Sequence, residues 1–268
     1  MPFFSLFDAM PPRRSTRQIT RFVAAAGALF GALSAACASG PWWQGLTAQQ
    51  IWERGEAQFA DEDYGDAATT LGRLLLDFPA FEGAADAQFM LAEAYFNDKQ
   101  YISAQSEFTR FIDRFPTNER APEAAMGVCH SNEALSPISQ RDQSFTLQAL
   151  QVCQNVMNDW FGTPQAEEAA AVVQEMREKL ARKIWENGWY YQRRSLLDPA
   201  LIYYEDIIER YPETSFAPRA LLGMIEIYGI FGYEEEVESA REQLLTRYPE
   251  SPEAKTLETS GVSGSESG

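Results

Sequence analysis

Histidine, cysteine and positive charge are all scarce in this chain of 268 residues. The one histidine, His130, stands next to Cys129. A structural zinc site takes four ligands, and neighbouring residues on a helix diverge by about 100°, so this pair cannot converge on one metal. Three cysteines (Cys37, Cys129 and Cys153) are too few for a disulfide scaffold. Cys129 and Cys153 fall in helical patterns and read as small buried side chains, with a mutual disulfide as the alternative. Lys and Arg total 22 against 39 Asp and Glu, a formal net charge of −17. Nucleic-acid binding depends on neutralising phosphates, and no local basic patch offsets this repulsion, so nucleic acid is excluded as a partner. No short nucleophile, phosphate-loop or zinc-hydrolase motif occurs, and the many glutamates are spread along helices as solvated faces. No catalytic residue, metal or cofactor is therefore assigned. What the chain does have is 45% hydrophobic and 13% aromatic residues, enough for a sizeable packed domain.

Residues 1–36 read as a secretory leader. Arg13, Arg14, Arg17 and Arg21 form a positive region, and Phe22 to Ala36 form a run of about 15 small or apolar residues. That run is shorter than the roughly 20 residues a membrane span needs. Met10 offers an alternative start. Cys37 follows Ala35-Ala36, which resembles the lipobox of bacterial lipoproteins, although Ser34 stands where leucine is usual. The resemblance implies acylation of Cys37 and anchoring by acyl chains without a transmembrane helix. Residues 37–47 would then be a tether, with Trp42 and Trp43 placed to lie at the lipid surface or to cap the first helix.

Beyond the tether a block recurs that ends in an aromatic residue and proline: Phe78-Pro79, Phe115-Pro116, Tyr211-Pro212 and Tyr248-Pro249, with a degenerate copy at Trp160-Phe161. The intervals are 37, 45, 51 and 37 residues, in or just above the range of helical solenoid repeats. Five positions before the proline stand Leu74, Phe111, Val156, Ile207 and Leu244; eight before, Leu71, Phe108, Cys153 and Tyr204; twelve before, Ala67, Ala104, Ala149 and Ala200. Spacings of three and four put these on one side of a helix, and the recurring alanine admits a close neighbour. Proline then stops the helix. A second helical run follows each stop, clearest at 83–95, 122–134, 165–189 and 218–228. The pattern predicts an all-α fold, an alpha-alpha superhelix (solenoid) of helix pairs over residues 48–255. A polar loop, Ser136 to Asp142, and a long helix from Ala166 to Trp189 account for the two longer intervals. The tail 256–268 lacks apolar periodicity and is expected to be disordered.

The leader, the stretches YFNDKQYISAQSEFTRFIDRFPTN and KLARKIWENGWYYQRRSLLDPALIYYEDIIERYPET, and the closing REQLLTRYPESPEA resemble the BamD family of tetratricopeptide-repeat lipoproteins. The run from Lys183 to Pro212 is the most specific part. The resemblance implies about five tetratricopeptide-like pairs in a non-enzymatic scaffold, lipid-anchored in the outer membrane and facing the periplasm. Its implied partners are the periplasmic domains of a barrel-forming assembly subunit, other assembly-complex lipoproteins, and unfolded outer membrane proteins. The chain departs from the family at Ser195, where glycine is usual, at Pro199, and in a shortened third-repeat loop.

Trp189, Tyr190, Tyr191, Arg193 and Arg194 cluster at the end of the long helix, and arginine with large aromatics is the commonest make-up of interface hot spots. By the resemblance, Arg194 is the anchor facing the barrel subunit. Tyr64, Tyr95, Phe96, Asn97 and Tyr101 surround earlier inter-helix turns and form a candidate precursor groove, or else simple repeat packing. Two other readings stay open: a periplasmic tetratricopeptide scaffold for cell division or envelope coordination, and a peptidoglycan-acting helical enzyme.

Overall fold

The computed structural model describes residues 42–262. The leader, Cys37 and residues 263–268 lie outside the described residues. Residues 42–47 belong to a first unit and Ala48 opens a second. In the first, a turn brings the Leu46 N–H to the Trp43 carbonyl at 3.1 Å, and the rings of Trp42 and Trp43 meet edge to face.

The second unit is all helix. Its described elements are α1 Ala48–Ala60, α2 Tyr64–Asp77, α3 Ala84–Asn97, α4 Tyr101–Arg114, α5 Ala121–Leu135, α6 Ser144–Asp159, α7 Pro164–Gln192, α8 Leu197–Arg210, α9 Phe216–Phe231, α10 Glu234–Arg247 and α11 Pro252–Val262. Each helix packs on the next, so α1/α2 through α9/α10 make five antiparallel pairs of a tetratricopeptide-like solenoid. The first helices of successive pairs also touch, α3 on α5, α5 on α7 and α7 on α9.

The block periodicity is the periodicity of burial. Ala67, Ala104, Ala149 and Ala200 have no exposed surface, and Leu74, Phe111, Val156, Ile207 and Leu244 are all buried. Each such aliphatic or aromatic side chain contributes roughly 1.5–3 kcal/mol when taken out of water. The stops are equally regular. The N–H groups of Phe78, Phe115, Trp160, Tyr211 and Tyr248 each donate to the carbonyl four residues back, and their own carbonyls accept from the residue three ahead. The degenerate Trp160-Phe161 copy makes the same bonds, so the turn survives without its proline.

The position eight before the proline shows how tightly the pairs nest. Tyr204 is 1% exposed and its ring lies between Gly188 of α7 and Gly223 of α9. A Cβ at either glycine would stand 2.7 or 2.6 Å from the ring. Phe108 meets Gly127 of α5 in the same way, at 2.6 Å. The Tyr204 hydroxyl donates to Gln192 Oε1 at 2.6 Å, and burial, reinforced by Glu226, pushes its pKa up to about 12.

Two expectations change. Cys129 of α5 and Cys153 of α6 are joined in a disulfide, with Cα atoms 4.9 Å apart, rather than standing as separate small side chains. Cys153 occupies the nesting position that Phe108 and Tyr204 hold elsewhere, which aims it at the paired first helix. Residues 256–262 are helical, because α11 begins at Pro252 and packs on α9 and α10, burying Ala254 and Leu257. The disorder expected from Thr256 therefore does not begin there: two apolar residues suffice for a short helix that covers the end of the array. The polar loop from Ser136 to Asp142 keeps Ile138, Gln140, Arg141 and Asp142 exposed but is tied down from below. Gln143 is buried and its amide donates to the carbonyls of Ile138 and Arg141, while Lys179, Lys183 and Glu186 of α7 hold Ser136, Ser139, Gln140 and Arg141. The 29-residue α7, about 44 Å long at 1.5 Å per residue, thus braces this loop as well as packing against α6 and α8.

The disulfide closes a loop of sequence separation 24, which predicts a stabilisation of about 3.5 kcal/mol from restriction of the unfolded chain. Denaturant unfolding of the Cys129→Ala/Cys153→Ala variant should show that loss. A difference below about 1 kcal/mol would mean that the cross-link contributes nothing by this route.

Candidate functional site

Two regions carry the residues singled out in the sequence. The first is the end of α7. The helix begins with the Thr163 hydroxyl accepting from the Ala166 N–H and with Pro164 in its first turn, both sound starts for a helix. It ends at a turn in which the Leu196 N–H donates to the Tyr191 carbonyl at 3.1 Å. The same bond recurs at Asp63 to Gln58, Gln100 to Tyr95 and Tyr233 to Tyr228. Such a turn places one residue in the left-handed region: Glu62, Lys99, Ser195 and Gly232 have φ of 62°, 61°, 59° and 74°. Only the last is the glycine this geometry favours.

The five residues of this cluster separate into two roles. Tyr191 is half-buried and stacks on Tyr203, with ring centroids 5.5 Å apart, as part of the core. Trp189 and Tyr190 are 43% and 47% exposed. The Arg193 guanidinium lies 4.6 Å from the Trp189 ring centroid and that of Arg194 lies 4.0 Å from the Tyr190 ring, with a hydrogen bond to the Tyr190 hydroxyl. Neither arginine is in a salt bridge among the described residues. In so acidic a chain, two cations held by aromatic rings and left without carboxylates are available to an outside partner.

Beside them is a groove of about 590 Å³. Trp185 stacks on Trp189 at 6.0 Å, and Arg219 of α9, 3.5 Å from Glu253 of α11, closes the far side. Trp185 was open to sequence reasoning, since it stands one helical turn before Trp189. Arg219 and Glu253 were not: they reach this groove only because α9 and α11 pack side by side.

The second region lies on α3, α5 and α7. Of the proposed precursor residues, Phe96 and Asn97 line a cavity there with Phe89, Glu93 and Met126. Tyr95 packs against the core of Phe89, Phe108 and Phe111. Tyr101 opens α4 and lies edge-on to Phe96 at 5.4 Å; Tyr64, at the equivalent place in α2, lies edge-on to Phe59 at 5.3 Å. The structure thus brings Phe96 and Asn97 together with the cavity and leaves Tyr64 one repeat away. His130 is held between Glu133 at 2.9 Å and Glu168 at 3.0 Å, and no three His, Cys, Asp or Glu side chains among the described residues are grouped to hold a metal ion.

Stacked helix pairs, with a cation-aromatic cluster at one turn and an aromatic cavity on the first helices, define a tetratricopeptide-like repeat scaffold. The chain belongs to the YfiO family of outer membrane lipoproteins, whose model matches residues 44–244. It is 28% identical over 160 residues to the outer membrane protein assembly factor BamD of Caulobacter vibrioides, covering 59% of this chain and 52% of that one. The chain thus spans about half the length of that relative. It is 23% identical over 218 residues to BamD of Xylella fastidiosa strain 9a5c, covering 78% of this chain and 75% of the relative. Among solved structures, MamA aligns at a TM-score of 0.33 and 16% identity over 75% of this chain and 91% of its own. TTC0263, a thermophilic TPR protein of Thermus thermophilus, aligns at 0.32 and 18% identity over 81% and 99%.

A non-glycine residue in the left-handed region costs roughly 1–2 kcal/mol, partly offset by glycine's greater freedom when unfolded. Ser195→Gly should therefore raise the unfolding free energy by up to about 1 kcal/mol. A lowered melting temperature in calorimetry would show that the serine side chain makes a compensating contact.

Proposed function

We propose that the protein is a non-enzymatic scaffold for outer membrane β-barrel assembly, anchored through acylated Cys37 and facing the periplasm. In this reading the end of α7 docks on the periplasmic domains of the barrel-forming subunit. The first helices of the earlier pairs receive unfolded precursors, with Phe96 and Asn97 on the receiving face, and other lipoproteins of the complex attach elsewhere. Family membership and the relatives named as BamD support this reading over a cell-division scaffold or a peptidoglycan-acting enzyme. The observation that carries the docking site is the pair Arg193 and Arg194, each on an exposed aromatic ring and neither paired with a carboxylate. A guanidinium already stacked loses little freedom on binding, and a carboxylate on the partner would complete it at small entropic cost.

The test is affinity capture from detergent-solubilised envelope. Arg193→Glu/Arg194→Glu should weaken capture of the barrel protein by about 30-fold or more, the loss typical of a hot spot worth 2 kcal/mol, with an unchanged circular dichroism spectrum. Capture equal to the parent chain removes this surface from the proposal. Separately, Cys37→Ser should move the protein from the membrane fraction to the soluble envelope fraction and abolish acylation seen by mass spectrometry. An unacylated parent chain would overturn the anchor.

A further inference from the structure

The cavity on α3, α5 and α7 has a volume of about 370 Å³ and a lining of two kinds. Phe89, Phe96, Phe108 and Met126 supply apolar surface; Glu93, Glu123 and Glu168 supply three carboxylates. The arrangement follows from helical spacing. Phe89, Glu93 and Phe96 stand four and three residues apart on α3, and Glu123, Met126 and His130 stand three and four apart on α5, so each set shares one face. Gly127 leaves the Phe108 ring room against α5.

The charges facing this space are unbalanced. Arg120, before α5, lies 3.0 Å from Glu123 and 3.9 Å from Glu93. His130 lies between Glu168 and Glu133. Among the described residues, Arg120 is the one permanent cation paired with a carboxylate of this lining, through Glu93 and Glu123, while Glu168 and the adjacent Glu133 are paired with His130. Glu93 is held above the usual carboxylate range, chiefly by burial, with Arg120 opposing and Glu123 adding to the rise. A desolvated carboxylate of this kind gains from a further cation. The edge of the cavity shows the same pairing made within the chain: the Arg120 guanidinium lies 3.4 Å from the centroid of the buried Phe89 ring, beside two carboxylates, and occupies that ring, which leaves the half-buried Phe96 ring to a second guanidinium.

We propose that this cavity is a specificity pocket for an arginine side chain of an extended polypeptide, the guanidinium set over the half-buried Phe96 ring among Glu93, Glu123 and Glu168. Arginine fits better than lysine because a planar guanidinium stacks on a ring while its edge donates to carboxylates. The inference rests on the reading of this face as the precursor-receiving surface and adds to it a sequence preference: arginine beside apolar residues.

The probe is a short fluorescent peptide, acetylated and amidated at its ends, with one arginine flanked by phenylalanines, compared with a twin bearing citrulline, the neutral isostere. Anisotropy with the full chain in detergent should show the arginine peptide binding at least about tenfold tighter, with the difference shrinking as salt rises. Glu123→Gln/Glu168→Gln should abolish that preference, leave the citrulline peptide's affinity unchanged and preserve the circular dichroism spectrum. Equal affinity for the two peptides, no binding of either, or a preference that survives the double substitution would overturn the proposal. Crosslinks from Asn97 to unfolded precursors without an arginine preference would sink the pocket and keep the receiving surface. An arginine preference without such crosslinks would do the reverse.

Discussion

Each helix pair of this protein exposes more apolar side chain than its own two helices can cover, and the rest depends on how the next pair covers it. The side chain eight residues before each stop is the point of contact. Where it is large, as in Phe108 and Tyr204, the neighbouring first helix offers glycine, and the backbones approach to the limit that a Cβ would forbid. Where it is small, as in Cys153, a disulfide joins the two helices of the pair. The same register that closes the core sets the angular position of every side chain on the opposite side of the first helices. The cavity on α3, α5 and α7 is therefore a consequence of core packing, since a first helix rotated to admit a larger residue in place of Gly127 would carry Glu123 and His130 away from it.

The two candidate surfaces differ in chemistry in a way that suits different ligands. At the end of α7, cations without carboxylates stand on exposed rings, a surface matched to an acidic, folded partner. On the earlier first helices, carboxylates outnumber cations around a recess of phenylalanines, matched to a basic side chain of an extended chain. The long helix α7 takes part in both, through Glu168 near its start and Trp189 near its end. It is also fixed at its middle by ties from Arg177 to Glu213 and the Arg210 carbonyl, and from Glu178 to the Ser215 N–H and hydroxyl.

Much of this was legible in the residues themselves. The aromatic-proline stops, the buried alanines and the start of α7 all follow from local rules about donors, side-chain size and helical period, which act within a turn or two of chain. The turn at Trp160-Phe161 was legible for the same reason, since its hydrogen bonds need only backbone groups and leave the Phe161 ring exposed. The cation-aromatic cluster was visible as composition, but not its division into a core tyrosine and two ring-mounted arginines. That division depends on Tyr203 of α8 facing Tyr191 while Trp189 and Tyr190 stay partly exposed beneath their arginines.

By itself the sequence determined a string of helix pairs, their boundaries and their buried faces, because those are settled by interactions between residues three, four or a few more positions apart. Only the tertiary structure decided which of two cysteine readings holds, how the loop after α5 is tied to α7, that Pro252–Val262 form α11, and that Arg219 meets Glu253 and His130 meets Glu168. Each of these joins residues that are 24 to 47 positions apart or depends on a helix packed against another pair. Their meeting is set by the rotation between stacked pairs, a quantity that the packing of rings against glycines fixes and that no local pattern records.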